Sequence, residues 1–408
     1  MNNTKVLEFI RKYTMLIALI LVVIFFEVST QGKLLLPINV SNLIAQNAYV
    51  FVLATGMLLA ILTGGNIDLS VGSVVCFVGA VGAVILQMLR KSDNPIMADD
   101  SFVPVLIVVL LVLVLGLLVG SFQAFWIAYV RVPPFIVTLA GMLLFRGLSN
   151  VVLDGQNVQV ANDIFGIVFG GGAKCYVPDV TVPFGMFTSG TLSVICLAVS
   201  VIAAVIYAAL TFRGRMSKIK KGYAVNSLVS DVLKTGAIVV VIIALGFLLA
   251  CHKGIPTVLI WVLIVILAYG YLTSKTTVGR YFYAVGGNEK ATKLSGINTN
   301  KIYFIAYANL GFLAGLAGLL TMGRMMSATP QAGDNYEMDA IGSCFIGGAS
   351  AYGGVGTVPG VIIGATLMGV INMGMSLMSV DQNWQKVVKG VVLLIAVIFD
   401  VVSKKQKD

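Results

Sequence analysis

Thr63-Gly64-Gly65-Asn66-Ile67-Asp68-Leu69-Ser70-Val71-Gly72-Ser73 stands between two apolar runs, at 43–63 and 70–89, with almost no loop around it. Each flanking run is long enough to cross a hydrocarbon layer of about 30 Å. A polar, glycine-rich break at such a place predicts interrupted membrane helices, because irregular backbone survives in a bilayer only where protein or a wet cavity surrounds it. An acid there is costly unless it is paired or faces water, so Asp68 marks a pathway or a structural network. Asp68 or Ser70 can cap the helix that begins near Val71, and either can contact a substrate. The two roles are compatible, since capped half-helices are how transporters place polar groups along a path.

The whole chain reads the same way. Of its 408 residues 58% are hydrophobic and only 11% charged, which excludes a soluble globular surface. The 44 glycines suit closely packed and broken helices, and 10 prolines without a Gly repeat exclude disorder and collagen. Apolar runs at 15–26, 43–63, 70–89, 102–126, 134–152, 191–212, 231–251, 255–274, 302–322, 338–351, 356–378 and 386–402 are the candidate spans. The 134–152 run carries Arg146, and 338–351 is short enough to be re-entrant. The expected fold is therefore an all-α polytopic integral membrane protein of about 10–12 transmembrane helices, some broken or re-entrant, in a single domain over 1–408.

Charge sets the orientation. The net +10 arises mostly from Lys and Arg between the runs, so it reflects topology rather than nucleic-acid binding. Lys5, Arg11 and Lys12 precede the first run, and no small-residue cleavage site follows it, which predicts a retained span with an inner N-terminus. Arg131, Arg213 to Lys221, Lys275 to Lys301 and Lys404 to Lys407 then fall inside, while Lys33, Arg90, Lys91, Lys174, Lys253 and Arg324 fall outside. Both termini are expected in the cytoplasm. The inner run Arg213 to Lys221 reads either as a positive-inside loop or as a contact for membrane lipid headgroups. Residues 153–190 form a long outer segment, and 275–301 the largest inner loop.

No catalytic constellation emerges. The single His252 has no carboxylate at a ligand spacing, the five cysteines form no CxxC, and no metal or cofactor site is expected. No GxxxxGK[ST] occurs, so the chain supplies no ATPase site of its own and is not read as an enzyme.

Two further stretches carry signal. Gly347-Gly348-Ala349-Ser350-Ala351-Tyr352-Gly353-Gly354-Val355-Gly356-Thr357-Val358-Pro359-Gly360 is a second break, and paired breaks in two halves of a chain point to a transport path; a tight interhelical turn is the alternative. Just upstream, Glu337 and Asp339 suit a helix N-terminus. In the inner loop, Gly279, Arg280, Gly286 and Gly287 lead to Asn288, a good N-cap, followed by Glu289, Thr292, Lys293, Ser295 and the stop at Gly296. The spacing predicts a short helix with a Glu289–Lys293 pair, and a helix so short needs something to pack against.

These three stretches, in this order, resemble the permease subunits of bacterial ABC importers for monosaccharides, the ribose, galactose and xylose group. The resemblance covers nearly the whole chain. The family's GGIDLSVGS appears as Gly65 to Ser73 with Asn66 in place of the second glycine. Met375 to Gly390, and an additional pair of spans around 210–255, are most similar to the D-xylose or multiple-sugar branch. The resemblance implies a homodimer of two permease copies enclosing the path, a periplasmic sugar-binding protein docking outside, and a cytoplasmic ABC ATPase that packs on the Asn288 to Ser295 segment. It implies a monosaccharide substrate and the bacterial inner membrane. The rival reading is a cation-coupled secondary sugar transporter, for which broken helices serve equally well but buried acids are few.

Overall fold

Long apolar runs have one local solution in lipid, the helix, because it satisfies every backbone N–H and C=O within the segment. The computed structural model describes residues 3–90, 101–172, 174–184, 191–225 and 227–405, with side chains described between 14 and 398 and at 401. Lys91, Lys407, residues 173 and 185–190 of the expected outer segment, and the side chains of Lys5, Arg11, Lys12, Lys404 and Lys405 lie outside the described residues.

The helices are α1 (Asn3–Ser29), α2 (Pro37–Gln46), α3 (Ala48–Leu62), α4 (Val71–Arg90), α5 (Phe102–Ala128), α6 (Pro134–Leu153), α7 (Asp163–Phe169), α8 (Val194–Lys220), α9 (Leu228–Ala250) and α10 (Thr257–Lys275). They continue with α11 (Thr277–Gly287), α12 (Glu289–Leu294), α13 (Thr299–Met325), α14 (Tyr336–Ile346), α15 (Val358–Leu377) and α16 (Gln382–Lys405). Four short strands complete the described elements: β1 (Val158–Gln159), β2 (Thr181–Pro183), β3 (Thr191–Ser193) and β4 (Ser327–Ala328). The chain is an all-helical polytopic membrane protein: among the described residues 8 helices are long and apolar enough to span, and up to 9 if α2 and α3, bent by 43°, count as one. The 338–351 run is the 11-residue α14, which rises only about 17 Å and cannot cross a bilayer alone.

The chain divides into two compact units. The first comprises 1–32, 44–175 and 257–408. Its centre is α13, of whose apolar window 78% is buried. Small residues let α5 approach it: a Cβ on Gly120 would sit 2.7 Å from the Tyr307 carbonyl oxygen and 2.8 Å from Gly311 Cα, and one on Gly315 would sit 2.9 Å from Val112 O. Gly116 and Gly120 on α5 thus face Gly311 and Gly315 on α13, each pair four residues apart, which is the small-xxx-small geometry of tight membrane helix pairs. β1 pairs antiparallel with β4, joining the 153–190 segment to the loop after α13.

The second unit comprises 33–43 and 176–256. It holds the antiparallel hairpin of α8 and α9 and the β2–β3 ladder. Asp179 starts α8 by accepting the N–H groups of Ile195 and Cys196 at 2.7 and 2.9 Å. Only 17% of the apolar window of each hairpin helix is buried, so most of their side chains lie on the surface of this chain. His252 follows this hairpin, its pKa lowered by burial and then by the charge of Lys253.

Candidate functional site

The two glycine-rich breaks and the 275–301 segment, distant in sequence, meet in the first unit. After α3 the chain turns at Gly64 and Gly65, whose φ angles of 137° and 74° are open to glycine at little cost. After α14 it turns at Gly353 and Gly354, and the Gly354 N–H donates to the Leu62 carbonyl at 3.0 Å. A Cβ on Gly353 would lie 2.5 Å from Gly64 Cα, and one on Gly65 would overlap the Ala351 carbonyl. Gly286 of α11 closes the junction: any side chain there would overlap Leu62 O and the Gly354 nitrogen. Tyr283 O–H donates to Gly356 O at 2.9 Å. Asn66 turns inward on its own loop, its Nδ2 3.4 Å from Thr63 Oγ1.

The inner loop contains two helices where one was expected. Thr276 caps α11 through the Gly279 N–H at 3.0 Å, and a side chain on Gly279 would overlap the Leu272 carbonyl of α10. Arg280 is exposed. After Gly287, Asn288 caps α12 as predicted, its Oδ1 accepting from Ala291 N–H at 2.9 Å, and Gly296 ends the segment at φ 83°. The buried Thr292 hydroxyl bonds back to the carbonyls of Ala284 and Asn288, each at 2.8 Å, and Ser295 Oγ donates to Ala291 O at 3.0 Å.

The expected Glu289–Lys293 pair is replaced by a longer-range one. Glu289 Oε1 lies 2.8 Å from Arg131 Nη1, and its two oxygens accept from the Thr299 and Tyr303 hydroxyls at 3.1 Å each. Arg131 also reaches Asn300 and stacks its guanidinium 5.3 Å from the Tyr303 ring centre. Burial pushes the Glu289 carboxyl up, but the Arg131 bond and charge and the two hydroxyls outweigh it and hold the group below its ordinary range. The packing partner that α12 requires is thus partly this chain's own α13. A stacked Arg with several bonds offers a defined geometry that a flexible i to i+4 pair lacks.

Asp68 lies buried beyond the first turn. Its Oδ1 accepts the Ser70 N–H at 2.7 Å and the Ser70 hydroxyl at 2.6 Å, so it fastens the residue before α4 rather than the helix's own first N–H groups. The Ser70 hydroxyl in turn accepts from Gln123 Nε2 at 2.9 Å, and Gly141 leaves room for that amide. Gly72 and Ser73 begin α4 in buried positions. A Cβ on Gly72 would come 2.5 Å from Glu337 Oε2, so α4 presses on the start of α14.

Asp339 belongs to a separate network. Its carboxylate accepts from Tyr49 O–H at 2.6 Å and pairs with Lys389 Nζ at 2.9 Å. Asn372 Nδ2 lies 3.5 Å from the same carboxylate and 3.3 Å from Asn47 Oδ1, at the bend between α2 and α3. The Tyr49 and Tyr336 rings stack at 3.5 Å with an interplanar angle of 10°. Gly347, at the C-terminal end of α14, contacts Gly360 of α15, and Gly348 adopts a φ of 83°. Glu337 and Asp339 do occupy the first turn of α14.

Sequence reading missed Arg131, Gln123, Tyr49, Asn372 and Lys389. Only Lys389 carried a signal, as a basic residue inside an apolar run, which in lipid calls for a partner. Among the described residues no group of three or more His, Cys, Asp or Glu stands close enough to hold a metal ion.

The model of a family described as branched-chain amino acid transport system / permease component matches residues 39–397. The chain is 37% identical over 396 residues to the xylose transport system permease protein XylH of Haemophilus influenzae, covering 97% of each chain. It is 34% identical to the protein of that name from Escherichia coli K12, over 97% of this chain and 92% of the other. It is also similar to the E. coli K12 ribose import permease protein RbsC, 33% identical over 90% of this chain and 86% of that one. No solved structure matches.

Proposed function

Because the chain belongs to this family of transport-system permease components, we propose that it is the permease subunit of an ATP-driven ABC importer that carries a monosaccharide across the bacterial inner membrane by alternating access. D-xylose or a related sugar is the substrate we infer, since relatives named for xylose align over more of both chains than the one named for ribose. In this reading two copies form the path, a periplasmic sugar-binding protein delivers the sugar, membrane lipid surrounds the bundle, and both termini lie in the cytoplasm. ATP hydrolysis belongs to a cytoplasmic partner, the chain having no P-loop sequence.

The observation that carries the proposal is the seating of α11 on both helix breaks at once, with α12 tied to α11 by the Thr292 hydroxyl on Ala284 O. Gly286 touches Leu62 and Gly354 by backbone alone, with no side chain between to absorb a displacement. A push on α12, passed to α11, therefore reaches the end of α3 and the loop between α14 and α15 together. The outward face of α12 offers the means: Leu294 is 90% exposed, with Lys290 and Lys293 exposed beside it. An apolar side chain held in water by a six-residue helix fits a groove on another protein.

The test is reconstitution. The chain, a partner ATPase and a sugar-loaded binding protein in liposomes should hydrolyse ATP faster with D-xylose than without sugar. Uptake by the chain alone, driven by a proton gradient, would refute the proposal.

A further inference from the structure

One end of the α8–α9 hairpin is built unlike the rest of its surface. Ser200 packs on Gly246, and Arg215 pairs with Asp231. These two contacts are the same number of residues apart on both helices, roughly 22 Å at the helical rise. The pair lies just past Phe212, where the apolar stretch of α8 gives way to Arg213, Arg215 and Lys218, the composition of a helix leaving hydrocarbon. There the two helix ends enclose a cleft of about 290 Å³, lined by Leu210, Gly214, Arg215, Lys218 and Asp231 among others.

Three features of this cleft point to one ligand chemistry. Its floor is a half-buried ion pair, with Arg215 and Asp231 side chains 14% and 21% exposed. The charge around it is strongly positive: Arg213 and Lys218 lie on α8, Lys221 just past its end and Lys234 on α9, against the single acid Asp231. Its membrane-facing lip is apolar, for Leu210 continues at four-residue steps into Ile206 and Ile202, which are 62%, 52% and 57% exposed. A ligand matched to this surface carries a negative oxyanion at one end and a hydrocarbon chain at the other.

We propose that the cleft between the ends of α8 and α9 binds an anionic phospholipid, its phosphate at Lys218 and Arg215 and an acyl chain along Leu210 and Ile206. The proposal is independent of the sugar and of the transport reading. Gly214 lines the cleft and leaves it open, since a Cβ there meets nothing within 4 Å.

Native mass spectrometry of the full chain in detergent, titrated with phosphatidylglycerol or phosphatidylcholine of equal chain length, tests it. Phosphatidylglycerol should be retained at one site in preference to phosphatidylcholine. Lys218→Gln should weaken that binding about fivefold, the size of one basic contact to an anionic headgroup. Gly214→Phe fills the cleft without altering charge and should abolish the preference, while Lys220→Gln, exposed and off the cleft, should leave it intact. Equal losses from Lys218→Gln and Lys220→Gln would mean diffuse surface charge and overturn the site. So would an unaffected Gly214→Phe protein, and displacement by inorganic phosphate at matched concentration would reassign the cleft to a free anion.

Discussion

Lys389 Nζ lies 2.9 Å from Asp339 Oδ1, tying α16 to the interrupted helix α14 through an acid that is 1% exposed. Removing one partner of such a pair strands a buried charge, typically at a cost of about 3–5 kcal/mol, whereas removing both is far milder. Lys389→Met should therefore lower the thermal midpoint in detergent sharply, and Asp339→Asn combined with Lys389→Met should recover most of the loss. A single variant as stable as wild type would show that the pair contributes nothing net.

The α5–α13 contact depends on missing side chains. Gly120→Leu must force apart backbones that now touch, and overpacking of this kind costs about 1–3 kcal/mol or more. Gly147→Leu on α6, where a Cβ meets nothing within 4 Å, is the control and should unfold like wild type. Chemical or thermal unfolding in detergent distinguishes the variants.

Asp68 uses only acceptor oxygens, toward Ser70 N–H and O–H. Asparagine keeps an acceptor at that place, so Asp68→Asn should retain most uptake, while Asp68→Leu leaves the buried Ser70 N–H unpaired at roughly 1–3 kcal/mol and should lose expression or transport. Abolished uptake in a well-folded Asn variant would mean that ionisation itself matters.

Glu289 links α12 to Arg131, and its carboxyl is held below the ordinary value of 4.5. A lowered pKa in the folded state adds stability above the unfolded value and forfeits it as pH falls through the folded one. The midpoint difference between wild type and Glu289→Gln should thus be present at pH 7 and shrink as the solution is acidified below the ordinary carboxylate range. A difference that persists unchanged would assign it to packing.

Coupling to a partner is tested at the exposed face of α12. Leu294→Asp should release the ATPase on co-purification while leaving the permease fold intact, because the Leu294 side chain stands in solvent. Thr292→Pro removes the N–H that bonds to Asn288 O at 3.0 Å and should uncouple sugar-stimulated hydrolysis as well. Co-purification and sugar-stimulated hydrolysis at wild-type levels in both variants would make this segment a plain connector.

Sequence alone determined the class of molecule and the places where its helices break. Hydrocarbon leaves so few ways to satisfy a backbone that long apolar runs declare themselves helices, and clusters such as Gly64-Gly65 or Gly353-Gly354 declare turns by the φ angles only glycine adopts cheaply. The cap at Asn288 was equally legible, since it acts over three residues. Which breaks face each other, and which charge neutralises which, were decided by tertiary structure. Glu289 had a lysine at the right helical spacing yet paired with Arg131, 158 positions away, and Asp339 found Lys389 across 50. Local spacing governs hydrogen bonds within a turn of helix. A buried charge takes its partner from whatever the packing of whole helices brings within reach, and no periodicity along one helix encodes the face of another.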